Sequence, residues 1–383
     1  ELAQQPWLGG KPGSRRVIIN RRGEIVEDVA SIRAPQEGRD LALSIDSRLQ
    51  YLAFSEIKAA VEANKAKAGA MVMLDPRTGE ILALANWPSY NPNNRSRAAR
   101  DKMRNRALID TFEPGSTLKP FTIAAALDSG KFAPGAIIDN DAHRERALTV
   151  EQVLQKSSNV GAAKIALSLS AETMWHVLSD AGFGTPPMTG FPGEVSGRLR
   201  PAKSWRPIEQ ATMAYGHGIS VNLVQLARAY TVFANDGELK PVSLLKVDAP
   251  VAGRPVLKPQ TARAVRHMLE MAVLPGGTAP KAQVAGYRVA GKTGTAHKLD
   301  GHVYANNKYI SSFVGFAPAS NPRLVIAVML DEPGGDQYYG GAIAAPVFSS
   351  VMGAALRMLG VPPDAPVTNV ILPADAPEIR EET

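Results

Sequence analysis

YRVAGKTGTA (residues 287–296), YISSFVGFAPAS (309–320) and RLVIAVMLDEP (323–333) follow one another near the end of this chain. Each is a short, mostly apolar run set between Gly, Pro, Asn or Asp, the pattern of a strand rather than a helix. Much earlier, AGAMVMLDPRTGEILALAN (68–86) reads as a hairpin, two apolar runs joined through Asp75-Pro76-Arg77-Thr78-Gly79. Residues 115 to about 280, between these two blocks, are mostly helical and broken by Gly and Pro. LALSIDSRLQYLAFSEIKAAVEANKA (41–66) starts as a short strand. It then carries Leu49, Leu52, Ala53, Ile57 and Ala60 at helical spacing behind a candidate N-cap, Asp46. AIAAPVFSSVMGAALRML (342–359) closes the fold as an apolar helix. The order predicts an α+β fold: early and late strands share one antiparallel sheet, helices pack on it, and an all-helical lobe is inserted between the sheet halves. At the front, RRVIINRRGEIVEDV (15–29) reads as a small hairpin pivoting on Arg22-Gly23, and the Pro- and Asp-rich tail from Pro362 is expected to be loosely held.

Bulk properties remove several function classes. The formal net charge is +7, but the basic residues are dispersed, with one modest cluster at NRSRAARDKMRNR (94–106) and no interleaved aromatics. Nucleic acid is therefore not expected as a partner. With no cysteine there is no disulfide, thiolate nucleophile or cysteine metal site, and the chain suits an oxidising compartment. The six histidines fall in no ligand spacing, and neither a phosphate loop nor a dinucleotide fingerprint is present. No metal and no cofactor are expected. No apolar run of about 18 residues stands out as a membrane span. The chain opens at Glu1 without a signal peptide, which fits a cytosolic protein, a processed one or an excised piece.

Three short motifs carry chemistry. In FEPGSTLKPFT (112–122) a Pro-Gly turn precedes what reads as an amphipathic helix, with Ser116 and Lys119 three apart on one face. A serine hydroxyl needs a base within reach to become a nucleophile. The helix N-terminus and burial both push a lysine pKa down, toward the neutral amine a base must be. The plainer reading is a surface lysine beside a capping serine. In QKSSNVG (155–161), Ser157 and Asn159 form an S-x-N set: a second hydroxyl to relay a proton and an amide for a substrate peptide bond, or simply a turn and a helix start. In VAGKTGTA (289–296), Lys292, Thr293 and Thr295 make a carboxylate-binding set and Gly294 invites close backbone approach; otherwise the run is an edge strand with a bulge.

Each motif is modest alone, but S-x-x-K, S-x-N and K-T-G in that order are together specific. With SIDSRLQ, LDPRTGEILALANWPSYNPNN, MRNRALIDTFEPGSTLKPF, YGHGISVNLVQLARAYTVFANDG and FVGFAPASNPRLVIAVMLDEP, the chain resembles the class B penicillin-binding proteins from roughly residue 11 to 363. It is most similar to their division-specific, Gram-negative penicillin-binding protein 3 type. The resemblance implies the penicillin-binding-protein/β-lactamase-like fold, with a five-stranded antiparallel sheet. It implies residues 1–40 as a remnant of an N-terminal pedestal domain, 41–363 as the transpeptidase domain and 364–383 as a C-terminal tail.

It also implies roles. Ser116 would attack the carbonyl between the two D-alanines of a peptidoglycan stem peptide, with Lys119 as general base. Ser157 and Lys292 would pass the proton to the leaving amine, and Asn159 would hold a substrate amide. Thr293, Gly294 and Thr295 would bind the substrate carboxylate, and the backbone N–H groups of Ser116 and Thr295 would form the oxyanion hole. Tyr309, Tyr338 and Tyr339 would line the site as an aromatic wall. β-Lactams would acylate the same serine. Glu194 in GFPGEVSGRLR stands about where a β-lactamase keeps its deacylating glutamate, but Arg198 follows four residues on, so Glu194 is read as structural.

Divisome proteins, including a glycan-polymerising one, would be partners. The location would be the periplasmic face of the inner membrane, the chain being a soluble piece or ordered remnant that lacks the single N-terminal anchor. Alternatives are a D,D-carboxypeptidase, a β-lactamase, a β-lactam sensor or a non-catalytic divisome scaffold. Against the family pattern, AIIDNDAHRERALTVEQV (136–153) is short, with a junction expected near Asn140-Asp141 in place of the usual hairpin-like stretch. GTAHKLDGHVYANNKYISS (294–312) after K-T-G is altered as well.

Overall fold

The computed structural model describes residues 2–94, 100–141, 145–249, 251–300 and 303–370. The chain divides into two compact units, one made of Glu1–Leu43 with Gly190–Pro192 and the other of Ser44–Thr189 with Gly193–Thr383. In the first unit, Ser14–Ile19 pairs antiparallel with Ile25–Arg33. The Asn20 side-chain oxygen accepts the N–H groups of Arg22 (2.9 Å) and Glu24 (3.0 Å), and Gly23 takes φ +79°. This is the hairpin and pivot expected from the sequence, because an Asn side chain mimics a backbone acceptor and Gly accepts positive φ.

The larger unit carries strands β1 (Ala68–Leu74), β2 (Ile81–Trp87), β3 (Ala290–Asp300), β4 (Val303–Ala317) and β5 (Leu324–Asp331). Its main helices are α1 (Ser47–Ala63), α2 (Lys119–Asp128), α3 (Val150–Gln155), α4 (Asn159–Leu167), α5 (Ala171–Asp180), α6 (Pro207–Met213), α7 (Leu223–Ala234), α8 (Pro259–Val273) and α9 (Gly340–Met358). The sheet runs β2-β1-β5-β4-β3, antiparallel throughout, so the five-stranded sheet joining early and late strands is borne out. β1 and β5 sit at its centre and are buried along their whole length. They read as unbroken apolar runs because both faces are covered.

Asp46 caps α1 through the N–H groups of Arg48 (2.9 Å) and Leu49 (3.4 Å). Leu49, Ala53 and Ile57 then join α9 in the core on one side of the sheet, where Phe313 of β4 packs on Phe348 of α9 with ring centroids 4.6 Å apart. α7 packs against β5 and β1. By length and composition α9 would suffice to cross a membrane, but 61% of its apolar window is buried inside the fold, so packing explains its hydropathy.

Four expectations need correction. The helix after Ser116 is not amphipathic: every residue from Lys119 to Ala126 is buried. It lies inside the lobe, where Phe121 meets Phe183, Tyr230 and Phe233 at 4.9–5.7 Å, and a helix surrounded on all sides is apolar all round. Second, Ser116 does not open that helix. It belongs to a 3-10 turn, Gly115–Leu118, leading into α2. Third, the short stretch after Ile137 still closes as a hairpin, Ile137–Asp139 with Ala147–Thr149; its residues 142–144 lie outside the described residues. Fourth, the start of the tail is not loose. Asp364 accepts from Arg288 N (2.7 Å) and Ser320 Oγ (2.6 Å), and Asn369 donates to the Tyr287 carbonyl (2.9 Å). These bonds satisfy backbone groups that would otherwise face solvent, and they fasten the segment to the fold. Residues 371–383 of the tail, 95–99 of the basic cluster and 301–302 of the altered loop lie outside the described residues. Within that cluster, Arg106 is paired with Asp101 (2.8 Å) and Asp110 (3.0 Å).

Candidate active site

The three motifs meet where the sheet edge abuts the helical lobe. β3, the K-T-G strand, is the edge strand; it pairs with β4 through Lys292–Val314, Gly294–Ser312 and Thr295–Ser311. Its free side lies against the 3-10 turn that holds Ser116. Gly294 is required there. A Cβ on it would stand 2.8 Å from the Pro114 carbonyl oxygen and 2.5 Å from Ser312 Oγ. Gly115, at φ +56°, turns the chain so that a Cβ on it would lie 3.2 Å from the Thr295 carbonyl oxygen. The backbone segments that carry the Ser116 and Thr295 amides are therefore in contact, as a shared oxyanion hole would require.

Ser116 is 3% exposed, and Lys119 and Ser157 are fully buried. The turn hands over directly to α2: Lys119, its first residue, gives its backbone N–H to the Ser116 carbonyl. Lys119 Nζ donates to Ser157 Oγ at 3.0 Å and also to the Ser157 carbonyl oxygen. The link spans 38 residues of sequence, so it is purely a product of packing. Tyr230 of α7 ties the turn down by donating to the Thr117 carbonyl at 2.8 Å, while Thr117 Oγ1 donates to the Pro114 carbonyl at 2.7 Å.

The S-x-N stretch combines the plain reading with the functional one. α3 ends in a Schellman close: Ser158 N–H bonds the Val153 carbonyl (3.0 Å) and Ser157 N–H the Leu154 carbonyl (3.2 Å). Ser157 takes the left-handed position at φ +61°. Ser158 then caps α4, accepting from Gly161 N–H at 3.1 Å and donating to Asn140 Oδ1 at 2.6 Å. Asn140 is 1% exposed and also donates to the Glu145 carbonyl (3.1 Å). Asn159, the first residue of α4, lines an open cavity beside the site.

Lys292 is fully buried and donates to Thr293 Oγ1 at 3.0 Å. Thr278 lies 3.0 Å from Thr293 Oγ1 and accepts a longer contact from Lys292 (3.5 Å). The Gly340 N–H at the start of α9 donates to Thr295 Oγ1 at 3.0 Å. The three tyrosines do assemble. Tyr309 stacks on Tyr338 with centroids 4.0 Å apart, Tyr338 on Tyr339 at 4.3 Å, and His297, opposite Tyr309 in the β3–β4 pairing, extends the row at 4.6 Å. Glu194 accepts from Thr189 N–H (3.0 Å) and Oγ1 (2.8 Å), closing its own loop, in keeping with the structural reading.

Asn140, Thr278 and Tyr230 escaped the sequence reading. A buried Asn or Thr amid a helical block carries no local pattern; only Tyr230, in the apolar run of α7, had a signal, and that signal reads as core.

The chain matches the family model for the penicillin-binding protein transpeptidase domain over residues 69–353. It is 46% identical to the "Probable peptidoglycan D,D-transpeptidase PenA" of Neisseria meningitidis, the match covering 96% of this chain and 66% of that protein. It is 43% identical to the "Peptidoglycan D,D-transpeptidase FtsI" of Escherichia coli, covering 96% of this chain and 64% of that one. Among solved structures, the apo transpeptidase domain of Burkholderia pseudomallei penicillin-binding protein 3 superposes with a TM-score of 0.78 at 48% identity, over 85% of this chain and 98% of that domain. The chain belongs to the penicillin-binding protein transpeptidase family. It spans about two thirds of the length of the two curated relatives just named.

Proposed function

We propose that this chain is the catalytic part of a serine D,D-transpeptidase that cross-links peptidoglycan stem peptides at the division septum and is inhibited by β-lactams. The observation that carries the reading is the buried Lys119–Ser157 hydrogen bond of 3.0 Å, one helix turn on from Ser116, whose 3-10 turn packs against the K-T-G strand. Ser116 Oγ attacks the carbonyl between two D-alanines as Lys119, in a buried setting where an ammonium is costly, takes its proton. The amides of Ser116 and Thr295 stabilise the oxyanion. Ser157 and Lys292 pass the proton to the leaving D-alanine, and an acceptor amine then resolves the ester. Asn159 holds a substrate amide, Thr293, Gly294 and Thr295 take the carboxylate, and Tyr309, Tyr338 and Tyr339 wall the cleft.

On this reading residues 1–40 belong to the pedestal, 41–363 to the transpeptidase domain and 364–383 to the tail. The protein works on the periplasmic face of the inner membrane with divisome partners, a glycan polymerase among them. The names of the relatives and the engagement of Glu194 with Thr189 support a transpeptidase over a β-lactamase.

The test is intact-mass analysis after exposure to a penicillin. A stable adduct on the wild type, absent from Ser116→Ala, is expected. No adduct on the wild type, or an undiminished one on Ser116→Ala, overturns the proposal. Rapid turnover of the lactam would make it a β-lactamase instead.

A further inference from the structure

Beside Asn159 lies an open cavity of about 620 Å³, and its other lining residues belong to none of the three motifs. Its wall includes Arg200, Tyr215, His217, His297 and Tyr304. Glu113, which stands three residues before the nucleophile, reaches this wall with its side chain only 8% exposed. Its carboxylate accepts three hydrogen bonds: from His217 Nδ1 (3.0 Å) and the Tyr304 hydroxyl (3.0 Å) on one oxygen, and from Gly218 N–H (2.8 Å) on the other. Partial burial and the Glu113 charge push the Tyr304 phenol up, so it stays protonated and donates. A carboxylate facing Nδ1 favours the tautomer with its proton there, which leaves the Nε2 lone pair available.

The position of this pair is rigid. Gly216 lies so close to the nucleophile's turn that a Cβ on it would fall 2.1 Å from the Gly115 carbonyl oxygen. His217 therefore follows directly on a backbone contact with the residue before Ser116. The cavity reaches Asn159 of the S-x-N motif and His297, two residues beyond Thr295.

We propose that this cavity is the acceptor subsite, which takes the primary amine of a second stem peptide, and that His217, oriented by Glu113, is the base that receives the amine's proton. The inference rests on the transpeptidase reading and extends it to the second half-reaction. The amine nitrogen attacks the ester carbonyl on Ser116, a C–N bond forms and the C–Oγ bond breaks. One proton moves overall from the amine to Ser116 Oγ, with Nε2 as its first acceptor. His217 is catalytic in this step and Glu113 is a positioning residue. An amine and a water both lose a proton on attack, so the imidazole favours the amine only because the cavity seats the amine beside it.

The test uses the purified protein with a D-alanyl thioester donor and D-methionine as the amine, together with penicillin acylation measured separately. For His217→Gln, penicillin acylation is expected to stay within about threefold while the ratio of aminolysis to hydrolysis falls about 100-fold, the lower range for a general base. Glu113→Gln is expected to lower the same ratio about tenfold, and Glu113→Asp to restore part of it. An unchanged ratio in His217→Gln, or wild-type protein that acylates but yields no aminolysis product, overturns the acceptor site alone. Equal losses of acylation and aminolysis also overturn it, making His217 a prop for the Ser116 turn. Wild-type protein that forms no acyl-enzyme overturns the transpeptidase reading and this inference together.

Discussion

Two residues of the site occupy the same unusual backbone region. Gly115, just before Ser116, has φ +56°, and Ser157, in the S-x-N turn, has φ +61°. At 115 a Cβ would be crowded, 3.2 Å from the Thr295 carbonyl oxygen, and glycine adopts that conformation without penalty. At 157 the position is a helix C′, where glycine is also the usual solution, yet a serine stands there, fully buried, with its hydroxyl on Lys119 Nζ. A non-glycine residue held in this region costs on the order of 1–3 kcal/mol and persists where the surroundings over-determine it. The contrast separates a glycine chosen for space from a strained serine kept for its side chain.

That contrast can be attacked in order of effect. If the strain at 157 serves the Lys119–Ser157 pair, removing the amine should be most damaging: Lys119→Ala should keep the circular dichroism of the wild type while penicillin acylation falls about 10²–10⁴-fold. An unchanged rate would remove the reason for the serine. Ser157→Ala, which deletes only the hydroxyl proposed as the relay, should slow acylation less, by about 10²-fold in a stopped-flow or mass-resolved time course. Gly115→Ala should raise the opposite problem. Strain of about 1–3 kcal/mol should appear as a lower urea midpoint, with slower acylation as the Ser116 amide shifts. The smallest effect is the most discriminating. Ser157→Gly should acylate as poorly as Ser157→Ala but be about 1 kcal/mol more stable than it in urea, because glycine relieves the left-handed strain. Equal stabilities would mean that the turn carries no strain.

Much of this was legible in the linear chain. The strand runs and the 68–86 hairpin foretold the sheet, Asp46 and Arg22-Gly23 foretold a cap and a turn, and the S-x-x-K, S-x-N and K-T-G residues named the candidate site. The misses share one cause. The stretch after Ser116 reads as an amphipathic helix by its own residues; what meets Lys119 is the Ser157 turn, contributed from another part of the chain. Asp364 and Asn369 looked like residues of a loose tail until Arg288, Ser320 and Tyr287 were seen to meet them. Glu113 gave no signal, because its partners His217 and Tyr304 stand 104 and 191 residues away.

The sequence by itself determined what depends on neighbours within a few residues: strand and helix periods, caps, turns, and the spacing that puts Ser116 over Lys119. Such features follow from local backbone geometry and need no partner. Only the tertiary structure decided which polar groups are withdrawn from water and against whom. It buried Lys119 and Lys292, bent Ser157 into the left-handed region to meet one of them, pressed Gly216 onto Gly115, and set Glu113 against His217. Those outcomes depend on close packing between segments far apart in the chain, where a single Cβ or a single carbonyl settles what can approach.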